Sequence, residues 1–359
     1  MKLSVKTPIM KELVSRAIKG ASQNKLIPLT GLMAIQLKDG KLTLLTTDAS
    51  NYLYVMQDNV AGDEFYVTVQ VEQFSKLISK MTCDMLTLEL NDAVLSVKGN
   101  GDYKIELPLD ETGELIKFPS PMDNETTEGI DISLATIKTI LNSIKPSLAV
   151  TMEVPVYTRY YFGDRVIGTD SEKMASMNKN VLQIEPVLIS QETVNLLDVM
   201  TCETIQFHKN DSKLIFASLD CIVYGNIMDG VDDYPVEPIM ELVEEKFESS
   251  CKLDRNALLS ILDRISLFVG QYDNKCITLT FAEEGVNVSS KKSTGIEMLK
   301  YLESENFKPF TCSVDILVFT QQLKGSTSDT IQLEYGNDNT LKWVDNDITQ
   351  VMALFDDEE

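Results

Sequence analysis

The chain has 359 residues, of which 55 are Asp or Glu and 32 are Lys or Arg, and its formal net charge is −23. This balance excludes a basic protein that coats nucleic acid and any basic tail. At roughly 150 residues per domain, the length predicts two or three domains. Since no apolar run is long enough to span a bilayer and the first residues lack a signal-peptide core, we expect a cytoplasmic protein with no membrane partner.

The first predicted elements are a short strand, a helix and a hairpin. The run KLSVKTPIMKELVSRAIK, from Lys2, has apolar residues at helical spacing. The predicted buried face of this helix consists of Met10, Leu13, Val14 and Ala17. After it, LMAIQLKDGKLTLLTTD alternates apolar and polar residues around Asp39-Gly40, which is a strong hairpin signal.

Further helices follow in the same order along the chain. A short amphipathic pattern precedes each of three strand-turn-strand runs. Its apolar residues are Phe74, Leu77, Ile78 and Met81 in the first instance, Val194, Leu197 and Met200 in the second, and Val314, Leu317 and Val318 in the third. The strand-and-helix start also returns twice, with apolar faces Ile137, Ile140, Leu141 and Ile144, and then Leu258, Ile261, Leu262 and Ile265.

Internal repetition is the most informative feature of the sequence. The thirty residues from Met81 and the thirty from Met200 align without a gap. This alignment contains seven identities, which include the shared opening Met-Thr-Cys. The segment TIQLEYGNDNTLKWVDND near the C-terminus is a weaker third copy. We therefore predict an α+β fold of three tandem domains, 1–127, 128–247 and 248–359, each with two helices and antiparallel sheets.

Catalytic and metal-binding patterns are missing from the sequence. His208 is the single histidine, the six cysteines stand far apart, and no phosphate-binding glycine loop occurs. We expect His208 to be a surface strand residue and the cysteines to be free, buried thiols, and we expect no cofactor and no metal. A nuclease that uses clustered carboxylates and Mg²⁺ is one alternative, but the repeats bring no carboxylates together. The pattern favours a binding protein over an enzyme.

Positive residues recur on the repeated helices. If these helices lined the hole of a ring, the lumen would be less acidic than the outside and would let duplex DNA pass on sequence-independent contacts. The residues predicted to face DNA are Lys11, Arg16, Lys19, Lys25, Lys76, Lys80, Lys138, Lys145, Arg255, Arg264 and Lys324. Ordinary solvated helix faces give the same pattern, and an acidic protein that mimics DNA is the alternative from another functional class.

Four segments in collinear order resemble the bacterial beta sliding clamps, the processivity subunits of the replicative DNA polymerase. They are IPLTGLMAIQLKDGKLTLLTTD from Ile27, RVIGTDSEKMASM from Arg165, GVDDYPVEP from Gly230 and VMALF from Val351. The resemblance covers essentially the whole chain. It implies half of a six-domain ring that encircles duplex DNA, tethers the polymerase without catalysing a reaction, and is opened by a separate clamp loader.

The resemblance also implies a pocket for partner peptides between the second and third domains. The matching residues are Tyr157, Thr169, Ser171, Lys173, Met174, Tyr234, Val236, Val351, Met352, Ala353 and Leu354. The chain departs from the family where Ser171 and Glu172 replace a glycine and a basic or histidine residue, and where Ala353 replaces a proline. It also continues to four acidic residues, 356–359, which we expect to cover the pocket or to repel acidic peptides.

In the family, two chains close the ring head to tail. Here the resemblance places Tyr103 and Ile105 of one chain against Leu267 and Phe268 of the other. The charges of this seam are exchanged relative to the family, and the residues concerned are Glu72, Asp102, Lys291 and Lys292. We expect this exchange to disfavour mixing with a clamp of ordinary polarity, which fits a homodimer from a phage or another mobile replicon.

Overall fold

The computed structural model describes residues 1–24, 26–119, 128–179, 181–270, 275–291, 294–337 and 339–355. The helices are α1 (Thr7–Ala17), α2 (Val71–Lys80), α3 (Leu134–Ile144), α4 (Gln191–Leu196), α5 (Val236–Glu244), α6 (Arg255–Ser266) and α7 (Ile316–Gly325). The strands are β1 (Lys2–Lys6), β2 (Leu32–Lys38), β3 (Lys41–Thr47), β4 (Tyr52–Gln57), β5 (Ala61–Gly62), β6 (Phe65–Gln70), β7 (Met85–Asn91), β8 (Val94–Lys98), β9 (Asp102–Glu106), β10 (Ile130–Ser133), β11 (Tyr160–Phe162), β12 (Val166–Thr169), β13 (Lys173–Met177), β14 (Val187–Ile189), β15 (Thr204–Lys209), β16 (Lys213–Ala217), β17 (Cys221–Asn226), β18 (Ser249–Asp254), β19 (Cys276–Phe281), β20 (Gly285–Ser290), β21 (Ile296–Lys300), β22 (Glu303–Glu305), β23 (Phe310–Asp315), β24 (Thr330–Tyr335), β25 (Thr340–Asp345) and β26 (Ile348–Ala353).

The order of these elements repeats along the described chain. A strand and a helix come first (β1 and α1, β10 and α3, β18 and α6), and a second helix with its following strands completes each repeat (α2, α4 and α7). The gapless alignment of the thirty residues from Met81 with the thirty from Met200 matches β8 with β16 and β9 with the start of β17. The predicted α+β class and the predicted repetition are therefore confirmed at the level of single elements.

The chain divides into two compact units. Unit 1 comprises Met1–Leu134 and Ser190–Ile227, and unit 2 comprises Ala135–Ile189 and Met228–Glu359. Segments of the predicted middle domain contribute to both units, so this division does not decide where the three predicted domains begin and end.

In unit 1 the described strands form two antiparallel sheets. One has the order β5-β1-β7-β8-β9, and the other has the order β10-β15-β16-β17-β4-β3-β2-β6. The second sheet joins the first and second repeats through the β4–β17 ladder, in which Tyr54 pairs with Ile222. Asp39 and Gly40 form the predicted turn between β2 and β3, with φ of 51° and 72°, the left-handed values that a tight hairpin turn requires.

In unit 2 the described strands also form two antiparallel sheets. Their orders are β14-β11-β12-β13-β26-β25-β24-β18-β22 and β21-β20-β19-β23. The longer sheet joins the second and third repeats through the β13–β26 ladder, in which Met174 pairs with Val351. The repeats thus share continuous sheets, and no flexible linker separates them at this ladder.

The predicted helix faces form the cores of the units. The residues predicted for the buried faces of α1, α3 and α6 are all buried. Asp254 caps α6 by accepting a hydrogen bond from the amide of Ala257 at 2.8 Å, as side chains at N-caps commonly do. Burying these apolar faces supplies the main stabilisation of each unit.

One prediction about the helices was wrong, and one helix was missed. The residues predicted for the buried face of α7 are not those that the helix buries. Val314 belongs to β23, which extends to Asp315, and Leu317 is exposed. The buried apolar residues of α7 are Ile316, Phe319 and Leu323. Helix α5 was not predicted at all, since its apolar residues are interrupted by three glutamates and two prolines border its first turn.

The six cysteines are free thiols, and Cys221, Cys251, Cys276 and Cys312 are buried. Burial raises the pKa of Cys221 and of Cys251 to about 12, which keeps both protonated at neutral pH. His208 is half-buried on β15. Among the described residues, no helix is long and apolar enough to cross a membrane.

Candidate functional site

Unit 2 contains a cavity of about 350 Å³ beside the β13–β26 ladder. A cavity of this size accommodates a few side chains of a bound peptide. It is lined by Tyr157, Thr169, Ser171, Glu172, Lys173, Met174, Pro235, Pro238, Ile239, Leu242, Thr340, Val351 and Ala353. The structure therefore brings seven of the eleven residues predicted for the pocket to one cavity.

The floor of this pocket is a backbone-bonded sheet. Val351 pairs with Met174 on one side, and Ala353 pairs with Thr340 on the other. The Ala353 amide also donates a hydrogen bond to the carbonyl of Glu172 at 2.7 Å. The floor is consequently fixed before any ligand arrives.

Met352 and Leu354 do not line the pocket, which corrects the prediction. Side chains alternate between the two faces of a strand, so Val351 and Ala353 face the pocket while the residue between them faces away. Met352 is buried in the core cluster that contains Leu341 and Trp343, and Leu354 packs against the same cluster.

Tyr234 and Val236 lie behind the pocket wall and are absent from its lining, which is a second correction. The Tyr234 ring stacks on Tyr161 with 5.2 Å between centroids, and its hydroxyl lies 3.4 Å from the Ile167 carbonyl. Burial raises the pKa of Tyr234, so its hydroxyl remains a hydrogen-bond donor. Val236 packs against the same cluster. These two residues support the wall that Tyr157 presents.

One rim of the pocket is the tight turn between β12 and β13. Asp170 organises it, because its Oδ1 accepts hydrogen bonds from the amides of Glu172 at 3.0 Å and Lys173 at 2.9 Å. Ser171 holds a left-handed conformation with φ of 82°, which a residue with a Cβ rarely adopts. The Lys173 ammonium forms an ion pair with the Asp170 carboxylate, so its charge is already compensated within the protein.

The opposite wall of the pocket is α5, and sequence reasoning missed most of its contribution. Pro238, Ile239 and Leu242 from this helix line the cavity. The signal that would have found it is the apolar series Val236, Ile239 and Val243, which has helical spacing.

Lys342 anchors the C-terminus of α5 to the sheet. Its side chain is 6% exposed, and its Nζ lies 2.9 Å from Glu334 Oε2. The same ammonium donates to the carbonyls of Val243 at 3.2 Å and Glu245 at 2.5 Å. A cation at this end also interacts favourably with the helix dipole. Lys342 therefore sets where the α5 wall lies.

The three arginines predicted to face DNA have partners inside the protein. Arg16 is 12% exposed, and its Nη1 lies 2.8 Å from Asp220 Oδ2. Arg255 donates to the carbonyls of Leu323 at 3.3 Å and Ser326 at 2.9 Å. The guanidinium groups of Arg16 and Arg255 are thus engaged within the fold. Arg264 is more exposed. It donates two hydrogen bonds to the Glu297 carboxylate, from Nε to Oε1 at 2.8 Å and from Nη2 to Oε2 at 2.6 Å.

The predicted DNA-facing lysines are more accessible. Lys19, Lys76, Lys80, Lys145 and Lys324 are exposed, whereas Lys11 and Lys138 are half-buried. Lys76 forms an ion pair with Glu72 on the same helix at 2.5 Å. Lys25 lies outside the described residues.

The residues predicted for the seam between two chains occupy the edges of sheets. Tyr103 is 40% exposed on β9, the last described strand of its sheet in unit 1, whereas Ile105 on the same strand is 3% exposed and packs into the core. The prediction is therefore wrong for Ile105. Asp102 is exposed beside Tyr103, and Glu72 is engaged by Lys76.

In unit 2, β21 is the corresponding edge strand among those described. Leu267 is 81% and Phe268 51% exposed. Sequence reasoning missed Ile296 and Met298, two exposed apolar residues on β21 itself. Lys291 is exposed and interacts within the chain, while Lys292 and the acidic residues 356–359 lie outside the described residues.

Unit 1 has a cavity of its own, of about 670 Å³. It lies between the end of α1 and the start of α2, and Lys19 and Glu72 are among its lining residues. In the part of the chain that the structure describes, no group of three His, Cys, Asp or Glu residues is placed to hold a metal ion.

Comparison with solved structures identifies the fold. The DNA polymerase III beta chain from Streptococcus pneumoniae matches with a TM-score of 0.88 at 14% identity, covering 99% of both chains. The DNA polymerase sliding clamp from Bacillus subtilis matches with a TM-score of 0.87 at 16% identity. The DNA polymerase III subunit beta from Borrelia burgdorferi matches with a TM-score of 0.86 at 17% identity, and both matches cover 99% of each chain. No protein-family model matches the chain, and no curated protein matches it by sequence. Together with the repeated helix-and-strand order, these matches show that the chain has the fold of the bacterial DNA polymerase III beta-subunit sliding clamps.

Proposed function

We propose that this protein is a DNA sliding clamp, a processivity factor that encircles duplex DNA and tethers the replicative DNA polymerase and other DNA-handling proteins. The observation that carries the proposal is the match over 99% of both chains to a DNA polymerase III beta chain, with a TM-score of 0.88. The pocket of unit 2 is the site proposed for the peptide of the partner. The protein itself catalyses no reaction, and a separate clamp loader driven by ATP opens the ring in the cytoplasm of a bacterial or phage-infected cell.

The ring is proposed to be a head-to-tail homodimer of three-domain chains with boundaries near 128 and 247. Two exposed sheet edges support this arrangement. β9 presents Tyr103, and β21 presents Ile296 and Met298 beside Leu267 and Phe268. An unpaired edge with exposed apolar residues is a surface that another strand covers readily. Pairing β9 of one chain with β21 of the other would extend both sheets and close the ring.

Sliding requires that DNA be held weakly and without sequence preference. The exposed lysines on α2 and α7 supply mobile positive charges of the kind that contact phosphates. Processivity then follows from linkage, because a polymerase held by the pocket remains at a high effective concentration near the primer end.

The first experiment is a measurement of solution mass by light scattering at several concentrations. We expect a species of about twice the 40.2 kDa chain mass. Leu267→Asp should shift it to monomer, because a carboxylate would be buried in the seam at a cost of several kcal/mol. The matched control is Leu219→Asp, which changes a residue in unit 1 that is 91% exposed and should leave the mass unchanged.

The dimer is then loaded on nicked circular DNA, and the DNA is linearised. Retention on circles and loss from linear ends support enclosure. A strict monomer at micromolar concentration, or equal retention on both DNA forms, contradicts the clamp proposal and favours an acidic protein that mimics DNA.

A further inference from the structure

The charges around the pocket of unit 2 indicate which partners it selects. Two cations of this region are engaged within the protein: Lys173, which lines the cavity, pairs with Asp170, and Lys342 is buried against Glu334 and the end of α5. Glu172, by contrast, lines the cavity and is exposed. Among the residues that line the cavity, the charge left available to a ligand is therefore the negative charge of Glu172.

Helix α5, which contributes a wall of the pocket, is itself acidic. Glu237, Glu241 and Glu244 are exposed, and the helix has no basic residue in its last turn. Glu237 and Glu241 are spaced by four residues, so that like charges lie side by side on the helix surface, an arrangement that destabilises a helix by a few tenths of a kcal/mol. Carboxylates near the C-terminus of a helix also oppose its dipole. Among the described residues, neither the Glu237 nor the Glu241 carboxylate forms an ion pair.

We propose that this pocket selects partner segments that carry lysine or arginine beside their apolar anchors. The apolar lining, which includes Ile239, Leu242 and Val351, takes the anchors. Glu172 lines the cavity, and Glu241 precedes the lining residue Leu242 along α5, so a basic residue beside the anchor has carboxylates of both elements as partners. The ligand's cation also relieves the repulsion along α5. The inference rests on the proposed function, because it takes this pocket as the site where partners bind.

The test uses two fluorescein-labelled heptapeptides with an identical centre of two leucines and one phenylalanine. One peptide has two lysines on each side of the centre, and the other has two glutamates. An exposed ion pair of intermediate strength contributes roughly threefold in affinity. Two such pairs therefore predict about tenfold tighter binding of the lysine peptide in 50 mM salt, measured by fluorescence anisotropy. The difference should fall below about twofold in 500 mM salt, where screening shortens the reach of exposed charges.

Variants localise the effect. Glu241→Lys should reduce or reverse the preference, whereas Glu111→Lys, the same charge change at an exposed residue of unit 1, should leave it intact. Ala353→Trp fills the cavity and should abolish binding of both peptides. A chain ending at Phe355, which removes four acidic residues, should keep a lysine preference, because α5 and Glu172 remain.

Equal binding of the two peptides, a preference that persists in 500 mM salt, or a preference that Glu111→Lys changes as much as Glu241→Lys would overturn the inference. If neither peptide binds, the inference and the role of the pocket both fail. The solution mass and the DNA retention assay still decide separately whether the chain forms a sliding ring.

Discussion

Replacing Lys342 with methionine tests whether this one side chain holds the pocket wall. The substitution keeps an unbranched side chain of similar length but removes the ammonium, which contacts the carbonyls of Val243 and Glu245 and the carboxylate of Glu334. Breaking a buried ion pair by removing one partner costs about 3–5 kcal/mol. The Glu334 side chain is 22% exposed and regains some water, so we expect the lower end of this range, about 3 kcal/mol.

The assay is urea unfolding followed by tryptophan fluorescence. Trp343 is the single tryptophan of the chain and is buried next to Lys342, with its ring 5.4 Å from that of Phe319. It therefore reports on unit 2 alone. Peptide affinity for the pocket should fall in parallel under native conditions, since α5 loses its C-terminal anchor.

The control is Lys252→Met, on β18 of the same sheet. Lys252 lies 3.9 Å from Glu303, and their side chains are 42% and 72% exposed. A solvent-accessible pair of this kind contributes less than about 1 kcal/mol. If Lys342→Met destabilises unit 2 no more than this control does, or if it leaves peptide affinity unchanged, the anchoring role is refuted.

Three further predictions concern the rim, the stability at low pH and the DNA contacts. Ser171→Gly should raise the free energy of unfolding by about 0.5–1 kcal/mol, because glycine adopts the observed φ of 82° without strain, and a thermal melt measures this. Burial opposes ionisation of Asp220, but hydrogen bonds from Ser218 and Arg16 outweigh it and hold the pKa of this carboxyl below its usual 3.8. The ionised carboxylate therefore stabilises the fold fully above that value, and this stabilisation is lost as pH falls through the folded pKa. Asp220→Asn should consequently make the free energy of unfolding, followed by circular dichroism, less dependent on pH below about pH 4. The double variant Lys19→Arg/Lys80→Arg keeps the net charge but should diffuse more slowly along DNA in single-molecule tracking, because guanidinium groups bind phosphate in a more fixed geometry than ammonium groups. Equal diffusion of the variant and the unchanged protein would contradict this account.

The local elements could be predicted from the sequence where one period dominates. The helical spacing of Met10, Leu13 and Val14 has no competing pattern, and Asp39-Gly40 requires left-handed backbone that few other residue pairs tolerate. The buried face of α7 was predicted wrongly because β23 ends directly where the helix begins. Val314 and Ile316 are both buried, but Val314 follows the two-residue period of the strand and Ile316 the helical period. Apolar residues at such a boundary fit either pattern.

The pocket was predicted as a set of segments, while its lining depends on which face of each strand points inward. The resemblance placed all four residues from Val351 to Leu354 at the site, but only alternate residues reach it, because Val351 and Met352 face opposite sides of β26. The partners of Arg16 and Arg255 are equally invisible in the sequence, since Asp220 and the carbonyl of Ser326 are far away along the chain. Such pairings are set by the packing of the units.

The two places where neighbouring repeats meet differ in the segment that connects the repeats. Second-repeat strands join first-repeat strands through β4–β17 and third-repeat strands through β13–β26, so both junctions are antiparallel ladders within a continuous sheet. Between the first and second repeats, no helix covers the connection in the described residues 107–119 and 128–129. Between the second and third repeats, the connection contains α5, which Lys342 holds against the sheet. At the junction of the second and third repeats, the connecting segment thus supplies a helix that forms a wall of the cavity, and this helix carries three exposed glutamates.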